Sequence, residues 1–140
     1  MRPEQRMWAQ LSKAMGNAWH ATRHEDTITK GLPDVSFGAD GVQGWIELKV
    51  LERWSGNPKT IIRLPLFTAE QKAWLTLRGA RGGRCFLLLK IEAEDLWLLF
   101  GHRVLTDLGR MTQEEMLASA IAVWDGVPSN QSLLSRITAK

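Results

Sequence analysis

Cysteine is nearly absent: Cys85 stands alone in 140 residues. That excludes an internal disulfide and any zinc site built on several thiolates. Cys85 lies in an apolar run, where a small thiol behaves as inert core. No stretch approaches the roughly 18 consecutive apolar residues that would span a bilayer. The first residues carry Arg2, Glu4 and Arg6 and no apolar targeting segment, so a cytosolic protein without membrane contact is the expectation. Tyrosine is missing, whereas tryptophan occurs seven times. Internal repeats and low-complexity tracts are also missing, and the length fits one compact domain with a real core.

Charge is modest in sum and uneven in placement. The chain carries a net +3, but residues 1–90 hold 14 Lys and Arg against 8 Asp and Glu, a surplus of +6. Residues 91–140 hold 4 against 7, a balance of −3. A basic body suits an anionic partner, because phosphate neutralisation supplies most non-specific nucleic-acid affinity. A solvated basic surface without a partner has the same composition.

Periodicity divides the chain into elements. Met7, Trp8, Leu11 and Met15 recur at helical spacing over Pro3–Met15, and Gly16-Asn17 ends that helix. Residues 18–25 alternate like a strand, and residues 34–37 and 43–50 form a hairpin. Residues 51–65 are a polar connection marked by Ser55-Gly56-Asn57-Pro58. Thr68 and Gln71 make a capping box that opens a helix to about Leu77. Cys85–Ile91 and Leu96–Phe100 are apolar runs of strand length, joined by an acidic turn. Thr112 and Glu115 make a second capping box, expected to open an amphipathic helix through Trp124, and a weakly specified tail follows Pro128. The expectation is an α/β fold ordered helix, three strands, helix, two strands, with a central mixed sheet and added C-terminal helices.

The chemistry concentrates in the hairpin. In a strand Glu47 and Lys49 project to one face, and Ile46, Leu48 and Val50 to the other. Asp40-Gly41 is a favoured two-residue turn. With Ala39 facing Val42, the ladder sets Asp34 opposite Glu47. Two carboxylates side by side destabilise a sheet; a divalent cation reverses that sign, and hard oxygen ligands suit Mg²⁺ and Mn²⁺.

Gly31-Leu32-Pro33-Asp34, Trp45-Ile46-Glu47-Leu48-Lys49, Gln71 on the following helix and the Gly82-Gly83 break before a strand resemble the PD-(D/E)xK nuclease superfamily. Within it they are similar to the small stand-alone VRR-NUC-type enzymes common in phages. The resemblance covers roughly residues 4–91 and implies a restriction-endonuclease-like core over about residues 4–100, with a helical extension over 101–140. It implies that Asp34 and Glu47 ligate Mg²⁺ or Mn²⁺ with the Leu48 carbonyl as a further oxygen. Lys49 would orient the attacking water, Gln71 would join the site, and Glu4 would match the early helical acid, with Glu25 as its competitor. Metal-dependent hydrolysis of DNA is implied, on branched or nicked substrates as in relatives, and a homodimer for symmetric cutting; RNA stays open as a substrate. The chain departs from the pattern in its long 51–65 connection. It also departs in the strand Phe86–Lys90, which lacks the arginine of the family name and offers Lys90 nearest.

Several residues keep two readings. Gln71 serves the site, the capping box, or both. Arg23, His24 and Lys30 flank the loop before Asp34 and suit phosphates, as do Arg53 and Lys59 in the connection and Arg81 and Arg84 at the glycine break; each also suits a solvated surface. Trp45 shares the face of Glu47 and either packs or stacks on a base. A non-catalytic DNA-binding or phage interaction protein that keeps the fold is the competing function.

Overall fold

The computed structural model describes residues 1–25 and 30–139. Helix α1 (Pro3–Met15) precedes three strands, β1 (His20–Arg23), β2 (Val35–Ala39) and β3 (Val42–Leu51). A long connection leads to α2 (Ala69–Ala80), then β4 (Arg84–Ile91) and β5 (Leu96–Gly101). Helix α3 (Gln113–Ser119), strand β6 (Ala122–Asp125) and helix α4 (Asn130–Ile137) complete the chain. The strands form one sheet in sequence order, β1 to β6. Every neighbouring pair is antiparallel except β3 and β4, which run parallel. A parallel pair needs a crossover, and α2 with the long connection supplies it.

Local sequence accounts for most of these elements. Asp40 and Gly41 both take positive φ, 50° and 78°, the conformation a two-residue hairpin turn requires. That turn sets the register Ala39↔Val42 through Val35↔Ile46. Thr68 and Gln71 form a reciprocal capping box at α2, and Thr112 and Glu115 form another at α3.

Both faces of the sheet are covered. On one, α1 and α4 bury Met7, Leu11, Leu133 and Ile137 against Val35, Ile46, Leu48, Leu88 and Leu99. On the other, α2, α3 and the connection bury Leu75, Met116, Ile62 and Phe67 against Leu87, Leu89, Leu98 and Phe100. Near-continuous apolar strands β4 and β5 follow from cover on both sides. Each fully buried side chain of this size contributes roughly 1.5–3 kcal/mol.

Two expectations need correction. The helix opened by Thr112 ends at Ser119 rather than reaching Trp124, and residues 122–125 add a sixth strand to what was expected to be wholly helical. Met116, Ala120 and Val123-Trp124 fit helical spacing, yet the β-branched Ile121 and Val123 fit a strand as well. The open edge of β5 decides between them: the Ile121 N–H donates to the Leu99 carbonyl at 2.7 Å and Val123 pairs with Leu98. The tail, weakly specified in sequence, becomes α4, with Ser129 as its N-cap and Trp124 Nε1 donating to Ser132 Oγ at 2.7 Å. Trp54 packs partly against the second core although it sits in the polar connection. No described helix is long and apolar enough to cross a membrane.

Candidate active site

The hairpin register carries Asp34 to the level of Glu47, one step beyond the last main-chain pair, Val35↔Ile46. Pro33 ends the ladder there, because the following pair would need the N–H that proline lacks. Side chains replace the missing main-chain bonds. The Asp34 N–H donates to Glu47 Oε1 at 3.1 Å, and the Leu48 N–H donates to Asp34 Oδ2 at 2.9 Å. On the other side the His24 N–H donates to the Asp34 carbonyl at 2.6 Å. Asp34 is therefore pinned between β3 and the residue that follows β1, and its carboxylate lies beside that of Glu47.

This face is not a solvated strand surface. Glu47 is 1% exposed and Lys49 8%. Burial, and secondly the Asp34 carboxylate, push the Glu47 carboxyl up to about 8, while Lys49 pulls in the opposite direction. Lys49 Nζ lies 3.0 Å from Glu47 Oε2 and donates to the Leu66 carbonyl at 2.9 Å. Glu47 Oε2 is buried, and the Lys49 ammonium is its ion-pair partner. Two carboxyls this close repel when both are ionised, and one ammonium offsets that only in part; a divalent cation would offset it further.

The donors fit a hard divalent ion. Asp34 and Glu47 bring two adjacent carboxylates, and Pro33 has no N–H to occupy the Leu48 carbonyl. Among the described residues no three His, Cys, Asp or Glu side chains converge as a ligand set. Two carboxylates with a carbonyl match the way Mg²⁺ is usually held, with waters completing an octahedron. Glu4 lies half-buried in the first turn of α1. It lines a cavity of about 170 Å³ with Lys49, Glu52, Arg63 and Leu66, so it adjoins the lysine rather than forming a third member of a carboxylate cluster. Glu25 is exposed at the limit of the described segment.

The first turn of α2 abuts the loop before Asp34. Gly31 has φ of 81° and packs on the Glu70 carbonyl so closely that any Cβ would collide. Gln71 Oε1 accepts from the Thr68 N–H at 3.0 Å, which is the capping role; its helix end is what lies next to the site. His24 Nε2 and Ser36 Oγ are 2.7 Å apart, and the His24 ring lies 5.3 Å from that of Trp45. Trp45 meets Trp74 edge-on at 5.1 Å, and Arg78 covers Trp74 at 4.6 Å. A row of contacting rings thus runs from His24, beside Asp34, to Arg78 near the end of α2. Ser36 and Trp74 were not singled out from sequence. Two-residue spacing from Asp34 puts Ser36 on this face, but nothing comparable marks Trp74. The Leu66 carbonyl, a main-chain group, leaves no trace in composition.

The remaining basic candidates are dispersed. Arg23 pairs with Val35 and so belongs to the α1 face, opposite to Asp34 and Glu47, with its Nε buried and, among the described residues, unpartnered. Lys30 is exposed in the turn before Gly31. Arg53 and Lys59 are exposed in the connection, Arg53 pairing with Glu52 at 3.3 Å. Arg81 is exposed at the end of α2. Arg84 donates from Nη1 to the Ala139 carbonyl at 2.6 Å. Lys90 is buried on the α1 face, 3.1 Å from Glu92, and donates to Gln10 at 3.0 Å, a structural arrangement remote from the carboxylates.

No protein-family model matches the chain, and no curated protein matches it. Among solved structures it is similar to a Holliday junction resolvase from the archaeal hyperthermophile Archaeoglobus fulgidus. The TM-score is 0.60 at 17% identity, over 97% of this chain and 99% of that one. It is also similar to a bacterial homing endonuclease, with a TM-score of 0.51 at 13% identity over 84% of this chain and 82% of that one. At such identities the likeness establishes a shared fold: a mixed sheet with flanking helices of the kind these nucleases use.

Proposed function

We propose that the chain is a Mg²⁺- or Mn²⁺-dependent endonuclease that hydrolyses phosphodiester bonds in DNA. One observation carries the reading: the half-buried Asp34 carboxylate lies beside the buried Glu47, with the Lys49 ammonium 3.0 Å from Glu47 Oε2. A pure DNA-binding surface gains nothing from adjacent acids facing phosphate, whereas a hydrolytic site does.

Asp34, Glu47 and the Leu48 carbonyl would hold the ion. The bound ion supplies positive charge against the scissile phosphate and lowers the pKa of the attacking water. Lys49, anchored by the Leu66 carbonyl, presents a compact positive charge where negative charge develops on phosphate oxygens. The first turn of α2 lies against the loop before Asp34, and a helix N-terminus so placed would favour an anion. Glu4 borders the cavity beside Lys49 and suits a water-mediated role.

The finer reading is a PD-(D/E)xK enzyme of the small stand-alone VRR-NUC type, of phage origin and acting in the host cytosol. The similarity to a resolvase supports selectivity for branched or nicked DNA. One catalytic constellation per chain calls for a homodimer if both strands are cut symmetrically. Incubation with supercoiled plasmid and with branched DNA, with and without Mg²⁺ or Mn²⁺, tests the proposal. Metal-dependent cleavage by the wild type that disappears in folded Glu47→Ala and Lys49→Ala proteins is expected. DNA retention with no cutting in any metal would replace the enzyme with a binding protein.

A further inference from the structure

The parallel pair β3 and β4 has a cavity at each end. The small one beside Lys49 lies at the C-terminal end; a larger one, about 590 Å³, lies where β4 begins. That volume is within the range of small-molecule sites, roughly 300–1,000 Å³. Three arginines line it from distant parts of the chain: Arg84 at the start of β4, Arg103 after β5 and Arg136 in the last turn of α4. His102 lines it too, and among the described residues no Asp or Glu does. None of the three arginines forms an ion pair among the described residues.

Two features indicate that the cavity is built rather than incidental. Arg84 is held by its bond to the Ala139 carbonyl, which fixes the fork of a group that carries five N–H donors. Gly79 stands in the interior of α2, where glycine costs about 1 kcal/mol relative to alanine. A Cβ there would overlap the His102 ring, so the helix accepts that cost and the imidazole is seated against it. Phe86 and Ile121 give the cavity an apolar wall beside the guanidinium groups.

We propose that this cavity is a subsite for one nucleotide of the nucleic-acid substrate, with Arg84, Arg103 and Arg136 on its phosphate and the apolar wall against its sugar and base. The proposal rests on the nuclease reading for its ligand class. Arg84 pairs with Gly44 and Leu87 with Glu47. Three residues at ~3.3 Å and one strand at ~4.8 Å set the Arg84 backbone about 11 Å from that of Glu47; the Arg84 side chain shares the α1 face with Phe86 and Glu47 lies on the other, so a strand touching both passes round the end of the sheet. The phosphate is that of a strand end or of a continuing backbone.

Fluorescence anisotropy in EDTA with a short labelled single strand tests this, comparing wild type with Arg103→Ala/Arg136→Ala. The affinity of the variant is expected to fall about 10-fold or more, since each lost charge-assisted hydrogen bond is worth roughly that factor. Its slope of log K against log salt should be shallower by about 0.7, the value for one phosphate on a single strand. Arg103→Lys/Arg136→Lys, which keeps charge without the fork, should lie between them. Unchanged affinity and slope in the alanine variant, shown folded by its thermal melt, overturns the proposal. A 5′-phosphorylated strand or a free mononucleotide that competes better than a 5′-hydroxyl strand identifies the end phosphate; equal competition by both strands identifies the backbone. Plasmid cleavage by wild type separates the two ideas. A shallower slope without cleavage leaves the subsite and removes the nuclease, and cleavage with an unchanged slope does the reverse.

Discussion

Glu47→Gln should make the metal-free protein more stable at alkaline pH, and the gain should vanish in acid. The Glu47 carboxyl is raised from 4.5 to about 8, first by burial and then by Asp34. Between those values the folded protein holds a proton that the unfolded chain releases. Folded-state proton uptake exceeds that of the unfolded state in this window, so stability falls as pH rises from about 4.5 through about 8. At ~1.4 kcal/mol per pH unit the full displacement is on the order of 5 kcal/mol. Relaxation around a coupled pair lowers that, so a loss of ~2–5 kcal/mol is expected. Glutamine copies the protonated form at every pH: its oxygen still accepts from the Asp34 N–H, and Lys49 keeps the Leu66 carbonyl. Urea unfolding in EDTA at pH 5 and pH 9 measures the effect for both proteins. Wild type should lose more stability than the variant by the stated amount, and saturating Mg²⁺ should restore wild type at pH 9 without helping the variant. Parallel pH profiles for the two proteins would refute the argument, because the difference between them isolates this one carboxyl.

At pH 9, where Glu47 is ionised, Asp34→Asn should raise metal-free stability by about 1 kcal/mol by relieving carboxylate repulsion, since the amide oxygen still accepts the Leu48 N–H; calorimetry should show Mg²⁺ binding lost, and a sharp drop in Tm would reassign Asp34 to a structural role. Lys49→Ala should lower cleavage by 10²-fold or more while metal binding persists. Lys49→Arg should not restore turnover, because a planar fork cannot fill the place of an ammonium held by Leu66; single-turnover kinetics measure both lysine variants. Gly31→Ala combines a positive φ with a collision against the Glu70 carbonyl. It should cost more than 1 kcal/mol and weaken DNA binding through displacement of the α2 N-terminus, read by urea unfolding and anisotropy.

The parts of the fold set by short-range rules were legible. Asp40-Gly41, the two capping boxes and the alternation of β3 each constrain neighbours within a few residues, and the structure follows them. Strand β6 was not legible because its residues satisfy two periods at once. What chose between them was the unpaired edge of β5, a partner about 25 residues away in sequence. Helix α4 depended likewise on a groove beside α1 and the sheet for Leu133 and Ile137.

The candidate site divides in the same way. Asp34 opposite Glu47 follows from counting back along a hairpin, so sequence alone placed the pair. The burial of Glu47 and Lys49 did not follow, since it depends on the stretch just past the polar connection, where the Leu66 carbonyl holds Lys49 and Phe67 packs into the second core. That burial changes the chemistry. Exposed, Glu47 and Lys49 would form a screened ion pair of little consequence. Enclosed, the same groups become a carboxyl that resists ionisation and an ammonium with two fixed neighbours, a pair whose charge state depends on what cation arrives. The 51–67 segment therefore acts on the carboxylates without touching them, through the Leu66 carbonyl and the exclusion of water, and loosening it should move the Glu47 carboxyl back toward 4.5.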